Sequence, residues 1–159
     1  MKEFIYRKGD VFLADLGIPH GSEQGGRRPV VIIQNDDGCV YSPTVTMVPM
    51  TTAIKKPFQK SHYILRYSDC IRYRSMVEAE QIQTIDKDRI IRRIGHLDPR
   101  DISGIEELLR YSMQLAYLHT LLSAKLITES EYSRIKKKLQ KDYKVPSDIL
   151  ADFESRDVR

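Results

Sequence analysis

Arg27 and Arg28 close a glycine-rich polar loop, Gly21-Ser22-Glu23-Gln24-Gly25-Gly26, and stand directly before Pro29-Val30-Val31-Ile32-Ile33. A guanidinium is a planar, permanently charged fork that matches phosphate oxygens. Pro29 fixes φ where the apolar run begins, and Val-Val-Ile-Ile reads as a strand buried on both faces. Arg28 is therefore anchored on its C-terminal side by the core, while Gly25 and Gly26 let the backbone come close to a ligand. That combination suits binding and polarising a phosphodiester. An ordinary surface loop with ion-paired arginines would use the same residues, since many surface ion pairs are functionally silent. Histidines offer a second chemistry: His20 beside the glycine loop and His62 at the start of a basic strand would make an acid–base pair if the fold joined them. His96 and His119 read as structural.

Cys39 and Cys70 are 31 positions apart, with no CxxC or HxxxH pattern around them. Two free thiols are expected, with no disulfide, no metal site and no cofactor. Charged residues make up 30% of the chain, and no apolar run approaches the roughly 20 residues that span a bilayer. Met1 to Lys8 carries no apolar signal segment, so a cytoplasmic protein without membrane contact is expected. Net charge is +4, and six of the basic residues (Lys55, Lys56, Lys60, Arg66, Arg72, Arg74) fall between positions 55 and 74 against the single acid Asp69. Tyr63, Tyr67 and Tyr73 are interleaved with them, a pattern that suits stacked bases and held phosphates, or else a solvated hairpin face.

The elements that must position these groups come in two regimes. From about 7 to 97 the chain reads as short strands: 10–15, the run after Pro29, 44–50, 61–66, 75–82 and 89–97. Asn35-Asp36-Asp37-Gly38 reads as a turn. Pro49 places the third run at an edge or a strand end. Several short strands at close spacing indicate a small barrel or a strongly twisted sheet. After Asp98 the period becomes helical, with Pro99 at the first helical position and an apolar stripe of Ile102, Ile105, Leu108, Leu109 and Met113. Lys125-Leu126-Ile127 signals a turn, and Thr128 with Glu131 forms a capping-box pattern. The helix that follows has the stripe Tyr132, Ile135, Leu139 and Tyr143 and is ended by Pro146. Its lysines at 136, 137, 138, 141 and 144 read as a solvated face.

Lys8-Gly9-Asp10-Val11, Gly21 to Pro29, Ser42-Pro43-Thr44, Met50-Thr51-Thr52 and Glu80 to Lys87 occur in an order and spacing that resemble the MazF/PemK toxins of toxin–antitoxin systems. The resemblance covers about residues 7 to 116. It implies a mainly β fold, a small SH3-like barrel of the MazF/Kid/CcdB type with a packed helix, in a toxin domain spanning 1–116. It also implies a homodimer that cuts single-stranded RNA at a short sequence without a metal, and a cognate antitoxin that covers the RNA groove. Position by position, Arg28 matches the family's catalytic arginine and Thr51 its catalytic threonine. Ser22, Glu23 and Gln24 match the loop lining the RNA site, and Glu80 and Gln81 match the strand bordering it. Residues 117–159 lie outside the toxin core. Leu126-Ile127-Thr128-x-x-Glu131-Tyr132 resembles the helical SHOCT modules, which implies an oligomerising or partner-binding hairpin.

The implied reaction is attack by the RNA's own 2′-hydroxyl, for which the protein need only align the phosphate and stabilise charge on it. Arg28 would stabilise the phosphorane or donate a proton, the first being the better use of so weak an acid. Thr51 would bond a non-bridging oxygen or orient the 2′-hydroxyl. Glu23 would act as base or hold Arg28. Two other outcomes fit the same fold: a CcdB-like toxin that binds DNA gyrase without catalysis, and a relative that binds RNA or antitoxin without turnover.

Overall fold

The computed structural model describes residues 4–143. Seven strands and three α-helices run in the order β1 Asp10–Asp15, β2 Arg27–Ile32, α1 Asp36–Tyr41, β3 Thr44–Thr51, β4 His62–Leu65, β5 Ser75–Glu78, β6 Gln83–Asp86, β7 Ile90–His96, α2 Pro99–Ser123 and α3 Glu129–Asp142. All strand pairs are antiparallel, in the order β4-β5-β3-β2-β1-β7, with β6 also pairing β3.

Alternation along the central strands explains why they read as continuous apolar runs. Val11, Val31, Val48 and Met50 point into one core with Tyr63, Leu97, Ile105 and Leu108, under α2. Phe12, Val30, Ile32, Val45 and Met47 point into a second core on the opposite face. That second face is closed by Phe4 and Tyr6, whose rings pack on Phe12 at 5.5 and 5.0 Å between centroids. A strand covered on both faces has no reason to alternate with polar residues.

Helix signals appear where the sequence placed them. The Asp98 side chain accepts from Arg100 N at α2, and Thr128 and Glu131 exchange both capping-box bonds at α3. Asp101, in the first turn of α2, is 1% exposed and takes hydrogen bonds from Tyr63 OH (3.0 Å), Arg66 N (3.2 Å) and Arg66 Nη1 (2.6 Å), so a buried charge is met by three donors. Burial, followed by the neighbouring Asp101 charge, pushes the Tyr63 phenol well above its ordinary pKa. At the far end Tyr143 stacks on Tyr111 with ring centroids 5.1 Å apart, and burial pushes its phenol up to about 12.

Several expectations need revision. The Asn35–Gly38 turn is the start of helix α1, with Asn35 Oδ1 accepting from Gly38 N at 2.7 Å as an N-cap. The run 75–82 is a strand only to Glu78; Ala79–Gln81 is a 3-10 turn, and Gln83–Asp86 pairs separately with β3. Pro49 is buried in the most heavily paired strand. Ile33 N bonds Thr46 O, so even positions of β3 bond toward β2, whereas the Pro49 nitrogen faces the other side. There, β6 ends opposite Met47 and β5 begins opposite Met50, so no ladder bond is lost. Met113 is 61% exposed, because 100° per residue carries it about 140° round the helix from Leu108. Tyr111 and Leu118 are buried instead. The expected stop at Pro146 and the lysine at 144 lie outside the described residues.

Candidate active site

The glycine loop is closed by backbone bonds, Leu16 N to Gly26 O (3.0 Å) and Gly26 N to Gly17 O (2.7 Å), with Gly26 at φ +72°. Gly25 is required for a different reason than ligand approach: a Cβ there would sit 2.6 Å from Pro19 Cδ. The close neighbour of this backbone is thus the opposite limb of its own hairpin.

Arg28, half-buried, is held at two points: Nε donates to Gly25 O at 2.7 Å and Nη1 to Gln24 Oε1 at 2.9 Å. Both acceptors are neutral, so the guanidinium keeps its full charge and retains three N–H donors beyond these two bonds. Gln24 is held in turn by Glu78, whose Oε2 accepts from Gln24 Nε2 at 3.0 Å. Gln81 staples the loop from the 3-10 turn: its Oε1 accepts from Gln24 N (3.0 Å) and its Nε2 donates to Ser22 O (3.3 Å). Loop, strand end and turn therefore form one network that converges on Arg28.

Thr51 is the last residue of β3, the strand beside β2 in the sheet. Val30 pairs with Pro49, Val31 with Val48 and Ile32 with Met47. The β2–β3 ladder ends at Val30–Pro49; beyond it Arg28 pairs with Ala14 of β1 and Thr51 with Met76 of β5. Arg28 follows Val30 and Ile32 in alternation, and Thr51 follows Met47 and Pro49, so both side chains leave the same sheet face. Thr51 Oγ1 accepts from Ala53 N at 3.1 Å, which leaves its hydroxyl proton available to a ligand.

The other candidates divide. Ser22 and Glu23 are exposed. Glu23 Oε2 accepts from His20 N at 3.3 Å, so it braces its own turn; the groups that hold Arg28 are Gln24 and Gly25. Arg27 points away to Asp15 at 3.3 Å. The Gly17 N–H, and then Arg27, hold the Asp15 carboxyl below its ordinary range. His62 does not join His20: it is buried, and its Nε2 lies 3.1 Å from Glu80 Oε1. Nor does the basic stretch present all its rings. Tyr63 is 2% exposed and bonded to Asp101, Arg66 is paired with Asp101, and the rings left exposed are Tyr67, at 38%, and Tyr73, at 76%. Cys39 and Cys70 are free thiols, with Cys39 on α1.

Two functional neighbours were not visible in the sequence. Glu78, the acceptor for Gln24, lies 54 residues from it, and nothing in a strand of mixed residues marks that contact. His62, Glu78 and Glu80 also bring ligand-type atoms within 4.8 Å of one another, a cluster that spacing alone did not suggest.

Residues 7–113 match the sequence model of the family described as PemK-like, MazF-like toxin of type II toxin-antitoxin system, and residues 104–150 match that of the SHOCT domain. The two matches overlap within α2, which runs unbroken to Ser123. The chain is similar to Endoribonuclease EndoA of Bacillus subtilis strain 168, with 42% identity over 115 residues that cover 70% of this chain and 97% of that protein. It is similar also to Endoribonuclease MazF of Staphylococcus saprophyticus, with 41% identity over 125 residues covering 76% and 99%. Among solved structures, MazF from Deinococcus radiodurans superposes with a TM-score of 0.62 at 16% identity, over 70% of this chain and 99% of that one. An endoribonuclease in complex with its cognate antitoxin from a mycobacterial species superposes with a TM-score of 0.56 at 23% identity, over 69% and 94%.

Proposed function

This chain belongs to the PemK-like, MazF-like toxins of type II toxin–antitoxin systems, and from that premise we propose that it is a sequence-specific endoribonuclease that cuts single-stranded RNA by 2′-hydroxyl transesterification, with no metal in the reaction. The observation that carries the reading is the Arg28 guanidinium, fixed at two points at the edge of the polar loop with N–H donors to spare. Thr51, at the end of the neighbouring strand β3, keeps a hydroxyl proton to offer the same phosphate.

In this mechanism the 2′-oxygen attacks the phosphorus and the P–O5′ bond breaks. The products are a 2′,3′-cyclic phosphate and a 5′-hydroxyl; the 2′-hydroxyl loses a proton and O5′ gains one. Charge develops on the non-bridging oxygens, where Arg28 donates from outside its two anchoring bonds. Thr51 donates its hydroxyl proton to the same phosphate and fixes its orientation. Ser22, Glu23, Gln24, Glu80 and Gln81 line the RNA path, with Gln24 and Gln81 acting chiefly by holding the loop in place. The substrate supplies the nucleophile, so the protein needs only positioning and fixed charge. We take the toxin unit as 1–116 and the helical extension as 117–159, the working form as a cytoplasmic homodimer, and the natural inhibitor as a cognate antitoxin.

The test is incubation of the purified full chain with a long mixed-sequence RNA in EDTA, followed by sequencing of the new 5′ ends. Discrete cuts at one short word, abolished by a 2′-deoxy substitution at the cut site, are expected. Intact RNA would refute the reading, and intact RNA with inhibited DNA supercoiling would replace it with gyrase binding.

A further inference from the structure

His62 is the buried histidine among the described residues, its side chain 6% exposed, and the reaction proposed above makes no use of it. Its Nδ1 lies 3.2 and 3.0 Å from the carbonyl oxygens of Lys55 and Lys56. Carbonyls only accept, so Nδ1 bears the hydrogen and the tautomer is fixed from outside the cluster. Nε2 is left facing two carboxylates, Glu80 Oε1 at 3.1 Å and Glu78 Oε1 at 3.9 Å.

The fold builds this arrangement from two local devices. The β4–β5 ladder sets His62 directly opposite Glu78, and the 3-10 turn that follows β5 brings Glu80 round beside them. Either the Nε2 position carries a second proton between imidazole and carboxylates, or a cation stands in its place. A buried imidazole whose other nitrogen is held by backbone carbonyls is the arrangement typical of a metal ligand. Tetrahedral zinc holds nitrogen and carboxylate ligand atoms about 3.3 Å apart, close to the two spacings at Nε2.

We propose that His62 Nε2, Glu78 and Glu80 form a binding site for a divalent transition-metal ion of the zinc class. One imidazole and two carboxylates suit such an ion better than magnesium or calcium, which take oxygen ligands. The ion takes the position of the Nε2 proton, which leaves to solvent, and its two charges offset the two carboxylates. Glu80, with its side chain 46% exposed, keeps the remaining coordination position open to water. Glu78 also accepts from Gln24 through Oε2, and Gln24 holds Arg28, so occupancy bears on the guanidinium's position. That last consequence rests on the role given to Arg28; the site itself does not.

Cobalt(II) titrated into the chelator-stripped full chain tests the site by its visible d–d absorption, a readout independent of RNA cleavage. One cobalt per chain with a tetrahedral or five-coordinate spectrum is expected, displaced by one equivalent of zinc. Glu80→Gln, at an exposed position, should weaken binding at least about tenfold while the circular dichroism stays unchanged. His62→Gln should abolish the spectrum. An octahedral, water-like spectrum, or a site that survives Glu80→Gln at wild-type affinity, would overturn the proposal. If RNA is cut in EDTA and no cobalt site forms, this inference fails and the nuclease reading stands.

Discussion

Replacing Gln24 with alanine separates a residue that positions the guanidinium from one that touches RNA. The substitution deletes the acceptor for Arg28 Nη1 and the donor to Glu78, while the Gln24 backbone N–H can keep its bond to Gln81. Hydrogen bonds to charged groups contribute about 1.5–3 kcal/mol. Arg28 is only half-buried, so water replaces part of the lost bond and the lower end, about 1.5 kcal/mol, applies. Each 1.36 kcal/mol of barrier is roughly a tenfold change in rate, so turnover should fall about tenfold. The bond from Arg28 Nε to Gly25 O remains and stops the guanidinium from leaving altogether. The assay is single-turnover cleavage at saturating RNA, with affinity measured separately by fluorescence anisotropy. A loss confined to affinity would make Gln24 an RNA contact. Wild-type turnover would show that Arg28 is held without the Glu78–Gln24 relay, and the positioning argument would be wrong.

Two further expectations concern the fold that carries the site. Asp101→Asn leaves Arg66 facing a neutral group in a site where the carboxylate is 1% exposed, and breaking such a pair costs about 3 kcal/mol. The melting midpoint should drop by roughly 10 °C in a calorimetric scan, and a shift under about 2 °C would remove Asp101 from the structural account. Asp98 and Glu131, the carboxylates at the two helix starts, are held below their ordinary pKa chiefly by backbone hydrogen bonds from Arg100 and Thr128. A depressed carboxyl contributes stability that is present above its ordinary pKa and lost as pH falls through the lowered one. Helical circular dichroism at fixed temperature should therefore weaken as the solution is acidified below the ordinary carboxylate range. Asp98→Ala should show less of that acid dependence, whereas an unchanged acid profile would place the sensitivity elsewhere.

Much of this arrangement was legible because its causes are local. The caps of α2 and α3 join residues two or three positions apart, and the strand after Pro29 is marked by its own apolar run; the contacts of Arg28 to Gly25 and Gln24 are as local, yet the sequence points to Glu23 as the holder. What escaped notice depends on distant pairing. Gln81 and Glu78 reach the loop across more than 50 residues of chain, through strand order that no short window reveals. Tyr63 and Arg66 read as surface groups because basic and aromatic residues alternate there. Asp101, 35 residues beyond Arg66, supplies the charge that allows both to be drawn inward. Pro49 misled for the same reason, since its missing N–H matters only if a neighbour stands opposite, and none does. Asn-Asp-Asp-Gly suits a turn and a helix start alike, and here Asn35 caps the six-residue helix α1.

The most direct measurement is the single-turnover rate of Arg28→Ala at the mapped cleavage site, with saturating RNA and EDTA present. If the guanidinium stabilises the phosphorane, the rate should fall by roughly a thousandfold while circular dichroism and melting stay close to wild type. A folded Arg28→Ala protein that cuts within a few-fold of the wild-type rate would contradict the account, because Arg28 is the cation on which the loop network converges.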